Sequence, residues 1–175
     1  MIGHNQYSKV SLEKDFWLFY VDVYSHAGIE EACSCLQSKY QLNINFLLFC
    51  CFSAKENYCG LSSSEINLIL TSIIPWNQKI VEAFDKLLKI IPRQTKHTEI
   101  IRFRELAAEN EVLAKKIEQS LMLQAIEPLL KKEKNQNKTN IALNNVFNYL
   151  NSQHINLHKT DLEKIYRLVK TSFSG

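Results

Sequence analysis

At 175 residues, with 46% apolar and 22% charged side chains, the chain has ordinary globular values that exclude a disordered or fibrous polypeptide and suit a single domain. Four glycines and three prolines are too few for a turn-rich all-β fold. The formal net charge of +3 is unevenly placed: residues 1–90 carry 7 Lys/Arg against 9 Asp/Glu, and residues 91–175 carry 14 against 9. The second half therefore leaves room for an acidic partner, although such charges mostly solvate helix faces. The start of the chain has no basic region followed by an apolar one, so no signal peptide is expected. The longest apolar run, Phe46 to Phe52, falls far short of the roughly 18 residues of a membrane span. Five cysteines, four of them in apolar surroundings, point to a reduced, cytoplasmic protein.

The apolar periodicity predicts helices throughout. Ser11 is a candidate cap for a first helix reaching about Tyr24, whose Phe16, Trp17, Phe19, Tyr20, Val23 and Tyr24 cover two adjacent stripes. A His26-Ala27-Gly28 break follows, and then a second helix over about Gly28 to Tyr40. Glu30 and Glu31 sit in its first turn, where they suit the macrodipole. Asn43 is a good N-cap for a third helix, Ile44 to about Glu56, in which only Asn45 interrupts the apolar sequence before Ser53. A helix apolar all round must be buried all round, so this one marks the centre of the core.

Ser62 and Glu65 have capping-box spacing ahead of Ile66, Ile69, Leu70 and Ile73. Pro75 is expected to stop or kink that helix and to open the next one, which carries Trp76, Ile80, Val81, Phe84, Leu87, Leu88 and Ile91. After a linker at 92–95, a long helix is expected from about Thr98 to Lys134. Ile100, Phe103, Ala107, Asn110, Ala114, Ile117 and Leu121 form a thin heptad seam along it, and Pro128 should kink or end it. The polar tract 131–138 is the best boundary, and two amphipathic helices close the chain. One runs from about Asn140 to Ser152, and the other follows a Thr160/Glu163 capping box.

Several strings in this order resemble a known family. Phe16-Trp17-x-Phe19, Tyr24, Gly28-Ile29, Ala32-Cys33, Leu36-Gln37, Asn43-Ile44-Asn45-x-Leu47-Leu48-Phe49-Cys50 and Pro75-Trp76 are similar to motifs of the DUF2390 family of uncharacterised bacterial proteins. Asn43 stands where the family more often has Asp. The resemblance spans about Phe16 to Ala125 and leaves the last fifty residues as an extension. It implies an all-α bacterial protein and no particular activity.

The residues name no chemistry either. Cys33 and Cys35 would point about 200° apart on a helix, and Cys50 and Cys51 about 100° apart, so neither pair converges on a metal. Buried packing is the expected role of these thiols, while Cys59, in a turn, could be exposed. His26 could bond a carbonyl at the end of the first helix. His154 and His158 flank an interhelix loop rather than share a face, and no metal-binding His/Glu string occurs. Acids at Glu99, Glu105, Glu109, Glu111 and Glu118 are interspersed with Arg102, Arg104, Lys115 and Lys116, which reads as a solvated, ion-paired helix face. Asn45 and Gln37 stand out, because a buried amide left without a partner costs about 1–3 kcal/mol. Either they bond each other or tie the interhelix loop down, or they line a small polar pocket with Tyr24 and Trp17.

The expected architecture is an all-α helical bundle of about seven or eight helices around a buried central helix (about 44–56), with one long helix (about 98–134). Residues 1–134 would form the bundle, and 135–175 a two-helix extension packed on the same core. The expected function is non-enzymatic interaction or regulation, with the long helix touching a protein, self or heterologous. A small-ligand site at Trp17, Tyr24, Gln37 and Asn45 is the alternative, followed by weak nucleic-acid contact. No catalytic residue, metal site, cofactor or membrane contact is expected.

Overall fold

The computed structural model describes residues 3–127 and 137–174. In chain order its elements are α1 (Gly3–Ser25), α2 (Ile29–Tyr40), α3 (Ile44–Lys55), α4 (Ser63–Trp76), a π-helical turn (Asn77–Val81), α5 (Glu82–Ile90), α6 (Thr98–Ile126), α7 (Lys138–Ser152) and α8 (Lys159–Thr171). The fold is an all-α bundle, and no strand occurs among the described residues. Among them, no helix is long and apolar enough to cross a membrane.

α3 is the centre. Every residue from Ile44 to Ala54 is buried, including Asn45 and Ser53. Asn43 caps it by accepting a hydrogen bond from the Phe46 N–H at 3.0 Å. Phe16 of α1 stacks on Phe52 at 4.7 Å between centroids, and Tyr149 of α7 meets Phe46 edge-on at 4.7 Å. Residues of α7 and α8, among them Val146, Leu150, Ile165 and Leu168, join the same apolar cluster as α1 to α4. Asn145 ties this layer to the 56–62 loop. It accepts from the Leu61 N–H at 2.7 Å and donates to the Cys50 carbonyl at 3.2 Å.

Four sequence expectations are corrected. α1 begins at Gly3, so Ser11 lies inside it, and its hydroxyl donates to Asp15 rather than capping. Pro75 sits inside α4 and does not open the next helix. A proline removes one N–H and crowds the carbonyl before it. Here the chain answers by widening the following turn, so that the Glu82 N–H bonds Asn77 O, five residues back. α8 starts at Lys159 with His158 as its N-cap, which leaves Thr160 within the first turn, and no Thr160/Glu163 capping box forms. α6 ends at Ile126 rather than Lys134, and the remainder of that expected span, with Pro128 and most of the polar tract, lies outside the described residues.

The Ser62/Glu65 capping box forms in full. Gly28 is where α2 meets α8. Its φ is +75°, and a Cβ there would come within 2.9 Å of the Arg167 guanidinium, which donates to the Ala27 carbonyl. Gly28→Ala is expected to cost about 1–2 kcal/mol, because alanine disfavours the left-handed region. The urea midpoint should fall without a change in slope.

Candidate functional site

A cleft of about 340 Å³ opens between the α1–α2 pair and α5. Its volume lies within the range of about 300–1,000 Å³ typical of small-molecule sites. One wall is the polar face of α2, with Ser34, Gln37, Ser38 and the C-cap Gln41, and Tyr20 and Tyr24 stand beside it on α1. The opposite wall is α5, with Glu82, Asp85, Lys86 and Lys89. The floor is the first turn of α3, Asn77 of the π turn, and Lys115 and Glu118 of α6.

The floor is a polar network inside an apolar bundle. Glu118 is fully buried. Its carboxylate accepts from the Asn43 side chain at 2.8 Å and from Asn45 at 2.6 Å. Asn77 lies near enough to favour the ionised carboxylate as well. Asn45 also donates to the Lys115 carbonyl at 3.2 Å and accepts from the Gln119 amide at 3.0 Å. The Asn43 N–H bonds the Tyr149 hydroxyl at 3.0 Å. Burial pushes the Glu118 carboxyl above its usual range, while the three asparagines and nearby Lys115 pull the other way without cancelling it. The N-terminus of α3, with its partial positive charge, is the natural seat for such a carboxylate. Lys115 pairs with Glu111 one turn away at 3.0 Å.

Three of the four residues singled out in the sequence, Tyr24, Gln37 and Asn45, come together on this cleft, and Trp17 does not. Trp17 begins a stack that runs along α1 to Tyr20 at 5.2 Å and on to Tyr24 at 4.6 Å. Its own outer face carries the Lys116 ammonium, 4.6 Å from the ring centre. Burial raises the Tyr20 hydroxyl above its ordinary range and the Tyr24 hydroxyl well above it, so both remain protonated donors. Asn45 bonds Glu118 and Gln119, not Gln37. Gln37 stands half-buried in the cleft wall.

Glu118 was missed at the sequence level, where it read as one acid of a solvated face. The heptad seam misleads for the same reason. The buried residues of α6 are Ala107, Ala114, Glu118, Gln119, Met122, Leu123 and Ile126, whereas Phe103 and Asn110 are exposed. α4 lies close against the small side of α6, with the Trp76 indole N–H on the Ala114 carbonyl at 2.9 Å. Asp161 was also missed. Buried at the foot of α8, it accepts from Lys39, Tyr40 and Lys164, which latches α8 to α2. Those bonds, led by Lys164, hold its carboxyl well below the usual carboxylate range.

The cysteines of the core pack as apolar side chains. Burial raises the Cys33 thiol to about 11 and Cys51 to about 12, so neither is a thiolate at neutral pH. Cys59 is half-buried. His26 donates from Nδ1 to the Asp22 carbonyl in its own turn, 2.9 Å away. Among the described residues, no three His, Cys, Asp or Glu side chains are grouped to hold a metal ion. Arg104 satisfies the last carbonyls of α5, donating to Leu88 at 2.8 Å and Ile91 at 2.7 Å, as a cation at a helix C-terminus should.

Fold and site together define an all-α protein built on a deeply buried central helix whose amide-rich N-terminus floors a polar cleft. Residues 15–122 match the model of a family described as a protein of unknown function, DUF2390, and the chain belongs to that family. Searches of curated proteins and of solved structures found no match.

Proposed function

We propose that the protein is a non-enzymatic interaction module of the cytoplasm whose contact surface is the outer face of α6. The observation that carries this reading is the distribution of exposed apolar side chains. Phe103, Leu106 and Leu113 follow one another at spacings that place them on one helix face, and Phe103 and Leu113 are each more than half exposed. α1 runs antiparallel beside this helix, with Glu13 level with Ser120 and Trp17 level with Lys116. α5, which packs on the first half of α6, contains no buried residue in spite of its apolar stripe. Contiguous exposed apolar surface of this kind marks protein contact sites. The basic side chains offer less to a polyanion, since Arg104 and Lys115 are engaged within the chain.

The double substitution Phe103→Glu/Leu113→Glu is expected to leave the thermal melt within about 0.5 kcal/mol of wild type, because both sites face solvent. It should abolish any partner retained by the wild-type chain in a cross-linked pull-down from native cells, or any concentration-dependent rise in mass by light scattering. Equal capture and equal mass for wild type and variant would overturn the assignment of this face.

A further inference from the structure

The cleft has a charge pattern that selects among ligands. Glu82 and Asp85 line it together with Lys86, Lys89 and Lys115, and the floor carboxylate Glu118 is fully buried, so an occupant meets both signs. A polyanion entering it would meet two carboxylates, and two of the three lysines are already paired with them, so it would gain little steering. The α2 wall is different, offering only amides and hydroxyls, which both donate and accept.

The charges also differ in how firmly they are held. Lys86 and Lys89 are exposed side chains paired with Glu82 and Asp85 of their own helix. Lys115 is largely covered, and the Glu111 carboxylate takes one of its three donors. Asp85 lies across the cleft, close enough for its charge to act on the Lys115 ammonium. The space therefore has a fixed cation at its inner end and carboxylates on the α5 wall. Glu118 is not available to an occupant, because it is fully buried and its carboxylate is taken by Asn43 and Asn45. It is a positioning residue that holds the floor amides in place.

We propose that this cleft binds a small zwitterion, a free α-amino acid or a dipeptide. The ligand carboxylate meets Lys115, and its ammonium meets the Asp85 and Glu82 wall. Its side chain or peptide group lies along Gln37 and Ser38, with the Tyr24 hydroxyl closing the inner edge. A neutral polyol would satisfy the amides and hydroxyls but make no charge-assisted pair with Lys115 or the α5 carboxylates, and inorganic phosphate would engage Lys115 alone. The inference does not depend on the α6 contact face, whose Phe103 and Leu113 are not among the residues lining the cleft.

The test is titration of the full chain, followed by backbone amide NMR, with each protein amino acid singly and with glycylglycine. Glucose, inorganic phosphate and N-acetylated amino-acid amides serve as comparison probes. At least one zwitterion should bind saturably at millimolar concentration, moving amides near Tyr24, Gln37 and Lys115. The matching N-acetylated amide should bind at least about tenfold more weakly, as the loss of charge-assisted bonds requires. Lys115→Met should reduce affinity by a similar factor while keeping the apolar stem and an unchanged melt. Gln37→Ala, a half-buried site, provides a second variant should Lys115→Met fail to fold. Saturable binding of glucose or phosphate alone would overturn the ligand class. Equal binding of the blocked and free forms, or no zwitterion binding at all, would overturn the proposal.

Discussion

Glu118→Ala is expected to destabilise the fold by about 2–4 kcal/mol, measured by urea denaturation at neutral pH. The substitution takes the acceptor from the half-buried Asn43 amide and strands that of buried Asn45, and a buried donor without an acceptor costs about 1–3 kcal/mol. Relief of the buried charge offsets part of that loss. Asn45→Ala should cost a similar amount, because it leaves the carboxylate and the Gln119 amide short of a partner. The double variant should then lose less than the sum of the two, by about 1–3 kcal/mol, as coupled neighbours do. Strict additivity would mean that the network contributes nothing as a unit.

The same carboxylate has a signature in pH. Its folded pKa is raised, so the native state binds its proton more tightly than the unfolded chain does. Between the ordinary carboxylate value, about 4.3, and its own higher value, its contribution to stability therefore falls as pH rises. Asp161 works in the opposite sense. Its folded pKa is lowered, so its contribution is full above the ordinary carboxylate value and is lost as pH falls through the folded one. The difference between wild type and Glu118→Gln across mildly acidic pH isolates the first effect, and that difference should grow in the variant's favour as pH rises.

Phe16→Ala is expected to cost about 3–5 kcal/mol, the range for emptying a fully buried aromatic site. The ring stacks on Phe52 and tilts against Phe49 at 5.7 Å, so its loss opens a void against α3 where the bundle is densest. Trp17→Ala, one residue on, should cost much less, because that ring is half-buried and its outer contact is a lysine. Thermal melts of the two variants in parallel would expose the contrast.

That contrast shows what could be read from the residues and what could not. The apolar run from Phe46 to Phe52 announced a buried helix, and the Asn43 cap and Ser62/Glu65 box followed from local chemistry alone. Tyr24, Gln37 and Asn45 attracted notice as polar groups in an apolar block, and they share a cleft. Trp17 was grouped with them because helical spacing allows it, yet the neighbouring helix turns it towards Lys116. Glu118 was hidden by its company. An acid among lysines and glutamates has the same local pattern whether it faces water or an asparagine cluster 73 residues back in the chain. The asparagines themselves were the available signal: Asn43 and Asn45 are two donors at the start of a helix with no acceptor nearby in sequence. α6 misled similarly, since alanines at 107 and 114 weaken a seam on paper but let α4 approach closely in space.

The widened turn after Pro75 sets the angular relation between the two ends of one long rod. A π turn inserts about one residue relative to α geometry, and one residue corresponds to about 100° of rotation. Residues that would continue the buried line of Ile66, Ile69, Leu70 and Ile73 are thereby swung round beyond Val81. The rod thus has two azimuths: α4 faces the core, and α5 turns its apolar stripe along α6 while its charged flank walls the cleft. At the pivot, Asn77 lines the cleft floor beside Glu118. The length of this turn, counted in single residues, is what lets the same stretch of chain serve as core, floor and wall.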